Sequence, residues 1–312
     1  MMDSSTLFQK RKRPGEIFLL AAIYGAAYFS VFMMLGIIGY VFSRGFRTLN
    51  IRFFTAVTSS YRGTVGIAGN LLNTLYIIAM TLLAAIPIGV GTAIYLNEYA
   101  ERGRLVKLIE FATEILAGIP SVIFGLFGMV FFGEVMGLGY SLLNGALTLA
   151  LMVLPLIVRN TQTALRAVPE CYRCGALGLG ATKCYLIRTI LLPAAMPGIL
   201  SGIILAVGRI AGESAALLFT AGSARILPKL GTDIWKNISK LYSKIFESGG
   251  TLTVELYIQM QNGEYEIAFA IACVLILTVL LINLLLKILC GLVSAPHYSA
   301  SSMQEDEKNE GQ

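Results

Sequence analysis

Six stretches of this chain run for about twenty residues or more with almost no charge, at residues 17–42, 71–96, 108–132, 140–158, 195–221 and 267–292. A bilayer hydrocarbon core of roughly 30 Å takes about 20 apolar residues of helix to cross. Backbone polar groups find no water there, so a crossing segment is either a helix or part of a closed barrel. These runs are solidly apolar rather than alternating, which excludes the barrel. Composition agrees, with 56% of residues apolar and 13% charged. That charged share is about half of what a soluble domain carries. A globule so apolar could not cover itself with polar surface. The chain reads as an all-α, polytopic membrane protein with six transmembrane helices.

A basic cluster, Lys10-Arg11-Lys12-Arg13, precedes the first run in the manner of a signal peptide. The run is twice the length of a signal-peptide core and no small-residue cleavage site closes it, so it is expected to be an uncleaved first span. Gly118, Pro120, Gly125 and Gly128 interrupt the third run, which is expected to kink or partly re-enter. Placing the N-terminus inside puts fourteen Lys and Arg on the cytosolic side and nine outside, as the positive-inside rule requires. The expected layout is a cytosolic basic segment at 1–16, a six-span domain at 17–292 and a cytosolic polar tail at 293–312, with both termini inside. Long outside loops are expected at 43–70 and 222–266. The first carries four arginines and no carboxylate. It can be a solvated loop near lipid headgroups, or a positive mouth that attracts an anion or acidic partner.

Chemistry-bearing constellations are sparse. Cysteines stand at 171, 174, 184, 273 and 290, and Cys171-Tyr-Arg-Cys174 has metal-ligand spacing. Structural zinc takes four ligands, and the single histidine, His297, lies beyond the last run. Neither a metal nor a cofactor is expected. Gly178-Leu-Gly180-Ala-Thr-Lys183 only superficially resembles a phosphate cradle, because a P-loop sets Gly-Lys-Ser/Thr side by side after a buried strand. No ATPase site is expected. One histidine cannot serve scattered serines as a general base, which argues against an intramembrane enzyme.

The segment 159–194 is far longer than the 2–8 residues, roughly, of an ordinary helix connection. It reads as helix, turn, helix. Pro169 suits the first turn of a helix through 171–179. Gly180 breaks it, and Thr182 can cap a second helix through Leu192. Pro193 and Pro197 are expected to punctuate re-entry into the membrane. A tight interfacial connector and a docking element for a cytosolic partner both fit this pattern.

Gly180, nine residues, Ile190, one residue, Leu192-Pro193 resembles the EAA loop of ABC-importer permeases, whose motif runs Glu-Ala-Ala, three residues, Gly, nine residues, Ile, one residue, Leu-Pro. The resemblance assigns Arg173, Cys174, Gly175, Ala176, Gly180, Ala181, Thr182, Leu192 and Pro193 to an ATPase-coupling loop. The family's glutamate falls at Cys174, with Gly175-Ala176 following, and the nearest acid is Glu170. Gly118-Ile-Pro120-Ser121-Val-Ile-Phe-Gly125-Leu-Phe-Gly128 is similar to the third-span signature of the phosphate-specific group. Gly208-Arg209-Ile-Ala-Gly212-Glu213-Ser-Ala-Ala-Leu217 resembles its Gly-Arg-Ala-Ile-Gly-Glu-Thr-Ala element. Over residues 70–290 the resemblance implies a type I, MetI-like ABC-importer permease, and its A-type phosphate-specific form. It further implies inorganic phosphate as cargo, two separate ABC ATPase subunits, a C-type sister permease and an extracytoplasmic phosphate-binding protein. Membrane lipid surrounds such a chain, and no nucleic acid is involved. A permease for another oxyanion, sulfate or molybdate, is the nearest competing reading.

Arg209 and Glu213, four apart, are expected on one face of the fifth span. A charge at mid-membrane costs about 2.5–3.5 kcal/mol, so the two either neutralise each other or line a translocation path. Pro120 can free backbone carbonyls and Ser121 toward a cavity, while the surrounding glycines can let helices approach closely. Glu110 and Glu114 share a face near the cytosolic end and are expected to pair with loop arginines.

Overall fold

The computed structural model describes residues 14–50, 53–54, 57–59, 64–100, 103–225 and 234–294. Helix α1 (Pro14–Gly45) covers the first apolar run and closes in a 3-10 turn at Phe46–Thr48. A small antiparallel ribbon follows, β1 (Val57–Ser59) with β2 (Thr64–Ile67), a minor departure from an all-helical chain. Helix α2 (Ala68–Tyr99) holds the second run, and its last turn widens to π geometry at Tyr95–Tyr99. Helices α3 (Arg104–Gly118) and α4 (Ser121–Val135) share the third run but bend by 104° at the Ile119–Pro120 break. Then come α5 (Leu142–Arg166), α6 (Glu170–Gly178), α7 (Lys183–Gly212), α8 (Ala215–Thr220), α9 (Ile234–Lys244), α10 (Leu252–Gln261) and α11 (Tyr265–Ser294). Among the described residues, five helices are each long and apolar enough to cross a membrane, and the α3–α4 pair makes a sixth crossing if taken as one.

The core forms around α5, whose most apolar window is 67% buried. Two neighbours approach it through small residues. A Cβ on Gly89 of α2 would lie 2.7 Å from the Ile157 side chain, and one on Gly202 of α7 would lie 2.6 Å from Asn160. Such contacts replace the hydrophobic drive that is missing between helices in lipid. Helix α1 stands apart, with none of its most apolar window buried. It packs along one edge of α11, where Tyr40 meets Phe269 edge-on at 5.6 Å.

Several limits differ from those expected. The run 195–221 is not one helix: α7 begins at Lys183, inside the segment read as a hairpin, and stops at Gly212. Pro193 and Pro197 do not interrupt it. The residues just before them, Leu186–Leu191, adopt π geometry, which shifts the hydrogen-bond register where Pro193 has no N–H to give. Residues 222–266 are not simply a loop, since they contain α9 and α10. Thr251 caps α10 by accepting the Val254 N–H, and Leu252 and Val254 are almost fully buried. The basic cluster at 10–13, Arg52, Arg62 and the acidic tail at 305–310 lie outside the described residues.

A buried polar network ties the first turns of α2 to α10. Arg225 Nε lies 2.7 Å from Glu255 Oε2, and Glu255 is 1% exposed. Gln259 donates to the other carboxylate oxygen at 2.6 Å. The side-chain amides of Asn70 and Asn73 both donate to the Gly250 carbonyl at 3.1 Å.

Candidate functional site

The hairpin between α5 and α7 is built almost wholly by local rules. Pro169 is the N-cap of α6, one position earlier than expected, and Glu170 follows in the first turn, where a carboxylate suits the helix dipole. At the other end Gly180 takes φ +83, a conformation that costs a residue with a Cβ. Its N–H bonds to the Leu177 carbonyl at 3.0 Å, and the Ala181 N–H to the Ala176 carbonyl at 3.0 Å. This is the Schellman arrangement, which satisfies carbonyls left over at a helix end. Ala176 and Ala181 also meet in one apolar cluster with Leu165, Leu186 and Ile187. Thr182 then caps α7 by accepting the Tyr185 N–H at 3.3 Å. Leu192 packs against the same cluster, and Pro193 is exposed.

One arginine fixes this hairpin to the rest of the molecule. Arg173 donates to Glu98 of α2 at 3.0 Å and to Glu170 at 3.1 Å. It also reaches the carbonyls of Leu165 at 2.9 Å and Val168 at 3.1 Å, at the end of α5. The Arg173 and Glu98 side chains are 13% and 10% exposed. Burial by itself would lower the Arg173 pKa, but the hydrogen bond and charge of Glu98, then Glu170, outweigh it and raise it. Cys174, at the family's glutamate position, is an exposed free thiol, as are Cys171 and Cys184. It borders a cavity of about 100 Å³ with Glu98, Arg173 and Lys183. The outer face of the hairpin is unusually apolar, with Leu179 92% and Tyr185 57% exposed. Gly175 has open space where a Cβ would be. Sequence reasoning missed Glu98 and Leu179; an acid directly after an apolar run, and a leucine beside the helix-ending glycine, were the available signals.

The two glycine-rich signatures come together away from the hairpin. A Cβ on Gly125 of α4 would lie 2.8 Å from the Ala216 backbone of α8. One on Gly128 would collide with Thr148 and come within 2.8 Å of Thr220. Gly125 and Gly128 thus serve close packing, and Pro120 supplies the break. Pro120 itself is exposed and Ser121 half-buried.

Arg209 and Glu213 do not share a helix face. α7 ends at Gly212, and Glu213 is extended at φ −81, ψ 124. Its carbonyl accepts from Thr253 at 2.9 Å, and its carboxylate accepts the Ala216 N–H at 3.2 Å. These bonds draw Glu213 out of the helix and use its charge to cap α8. Arg209 is exposed in the last turn of α7 and makes no ion pair among the described residues. Glu114 reaches Arg159 at 3.8 Å, but Arg159 lies within α5 rather than in a loop, and Glu110 makes no ion pair among the described residues.

A bundle of apolar helices with one buttressed, apolar-faced hairpin at its end is the architecture of an ABC-importer transmembrane subunit. The chain belongs to the family of binding-protein-dependent transport system inner membrane components, which matches residues 85–294. It is thus a multi-pass permease of the inner membrane, a transport component. It is 36% identical over 275 residues to the probable ABC transporter permease protein YqgI of Bacillus subtilis strain 168, covering 86% of this chain and 91% of that protein. It is 30% identical over 290 residues to the phosphate transport system permease protein PstA of Yersinia pestis, covering 93% and 94%. Among solved structures, a bacterial alginate ABC transporter in complex with an alginate-bound periplasmic protein superposes with a TM-score of 0.61 at 17% identity, covering 91% of this chain and 98% of that one. The MetNI methionine transporter, inward facing, gives 0.54 at 18% identity, covering 76% and 99%. These likenesses establish the type I importer permease fold.

Proposed function

We propose that this chain is the A-type permease half of an importer that carries inorganic phosphate inward across the cytoplasmic membrane. The observation that carries the reading is the likeness to PstA over 93% of the chain. The Gly118–Gly128 and Gly208–Leu217 signatures, packed against each other at Gly125 and Ala216, support it. Both termini and the hairpin face the cytosol. The chain has no ATPase site of its own, and one of two ATP-binding subunits docks on this hairpin at Leu179 and the open side of Gly175. A C-type sister permease completes the pore, and an extracytoplasmic phosphate-binding protein delivers the anion.

Arg209 carries the substrate contact. A guanidinium fork matches a tetrahedral oxyanion, and Arg209 is uncommitted because Glu213 is spent on α8. Pro120 and Ser121 border the same path at the α3–α4 break. ATP drives the cycle only through its different affinity for the two end states, so the hairpin must hold its position against the bundle, which Arg173 and Glu98 ensure.

The test is uptake of labelled phosphate into vesicles containing the assembled complex, with and without internal ATP and with sulfate or molybdate as competitor. ATP-dependent uptake that excess sulfate leaves intact is expected, and Arg209→Gln should abolish it with assembly preserved. Uptake blocked by sulfate would replace the cargo, and uptake indifferent to ATP with all partners present would refute the coupling scheme.

A further inference from the structure

Helices α3 and α5 face each other with opposite charge near the hairpin. Arg159, Gln162 and Arg166 fall on one stripe of α5, and Glu110, Thr113 and Glu114 on one stripe of α3, by their spacing of three and four. Two such stripes could close into a ladder of ion pairs. They do not. The one ion pair between them among the described residues, Arg159 to Glu114, is 3.8 Å long between side chains 57% and 75% exposed. Arg166 and Glu110 make no ion pair among the described residues. Between the stripes lies an open cavity of about 340 Å³, floored by Leu96. Gln162 lines it, and its Nε2 is buried without a hydrogen-bond partner. An unsatisfied buried donor is unfavourable unless something occupies the space beside it.

We infer that this cavity binds dihydrogen phosphate on the hairpin side, the guanidiniums of Arg159 and Arg166 and the Gln162 amide donating to its oxygens while Glu110 and Glu114 each accept one of its two hydroxyls. The inference rests on the phosphate reading above. Two guanidiniums and two carboxylates leave the lining neutral, so selection comes from hydrogen-bond complementarity rather than net charge. Sulfate brings acceptors only, and its oxygens would oppose the carboxylates. Phosphate brings donors as well. The bound anion would tie α3 to α5 at Arg166, four residues before the hairpin helix begins at Glu170. Occupancy would therefore brace the base of the hairpin and slow its movement, acting as a product-side brake on import. The phosphomonoester headgroup of an anionic lipid offers the same chemistry at the same membrane surface.

The assembled complex in nanodiscs of zwitterionic lipid, without ATP or binding protein, should bind labelled phosphate. Arg166→Gln and Gln162→Leu should each weaken that binding at least tenfold. Arg166→Lys, which keeps the charge but loses the fork, should assemble normally and still bind more weakly. In vesicles, phosphate preloaded on the hairpin side should slow ATP-driven uptake by the unaltered complex and not by Arg166→Gln. Loss of labelled phosphate binding when phosphatidate is added to the nanodiscs would identify the headgroup as occupant and uphold the site's chemistry. Binding that is equal in the unaltered complex and both variants, or that sulfate displaces, would overturn the inference. A complex that imports phosphate but binds none at this cavity would sink the cavity alone, whereas one that imports sulfate instead would remove both readings.

Discussion

Arg173 uses both terminal nitrogens of its guanidinium against two carboxylates and two carbonyls, a fan that a lysine ammonium cannot reproduce. Arg173→Ala would leave Glu98 buried without its cation, at a cost of about 3–5 kcal/mol, read as a lower thermal midpoint of the solubilised complex. Replacing both partners, Arg173→Met with Glu98→Leu, should recover most of that loss; a single variant as stable as the parent would show the pair to be idle. The Arg173 pKa is raised, so its contribution is fully present below the ordinary arginine value. It would fade only above that value, so raising the pH through the neutral range does not open the contact. Packing makes an equally local demand at Gly125. Gly125→Val forces a side chain into the Ala216 backbone and should cost about 1–3 kcal/mol, whereas Gly118→Ala enters open space and should change stability by less than about 0.5 kcal/mol. Thermal unfolding of the two variants side by side distinguishes close packing from a need for flexibility.

Among the elements, the hairpin is the one most completely readable from sequence. Gly180, Ala181 and Thr182 end one helix and begin the next through bonds spanning a few residues, so their order along the chain states the geometry. Thr182→Ala should cost about 1 kcal/mol through the lost cap. Leu179→Asp, at 92% exposure, should leave the fold alone and abolish recovery of the ATPase with the permease; undiminished recovery would move the docking surface elsewhere. The C-terminal end of α7 was not readable in this way. The apolar run continues through the break, and what stops the helix is a bond from Thr253 to the Glu213 carbonyl, forty residues distant in the chain. Helix α10 was hidden for a related reason. Glu255 and Gln259 make it look like a solvated loop, and only Arg225, Asn70 and each other make their burial tolerable. Apolar spans follow from composition, but polar groups inside them are explained only by partners that the fold delivers.

At the scale of the whole molecule, the Arg225–Glu255 network holds the start of α2, the chain after α8 and the start of α10 in one cluster at the end remote from the hairpin. Glu255→Ala should therefore loosen that end as a unit, costing about 3–5 kcal/mol as a broken buried pair and exposing amides of residues 70–74 and 249–255 to faster hydrogen exchange. Exchange confined to α10 alone would contradict the shared role. Helix α7 joins the two ends. Its 30 residues run unbroken from Lys183 beside the hairpin turn to Gly212 beside Arg209, about 45 Å at 1.5 Å per residue. It is a connecting rod with its soft segment, the π turn at Leu186–Leu191, close to the driven end. A rod of this kind passes axial thrust faithfully and torsion poorly through its soft segment. A pull on Thr182 would thus arrive at Arg209 as displacement along the axis, and the guanidinium would slide past its neighbours rather than swivel among them.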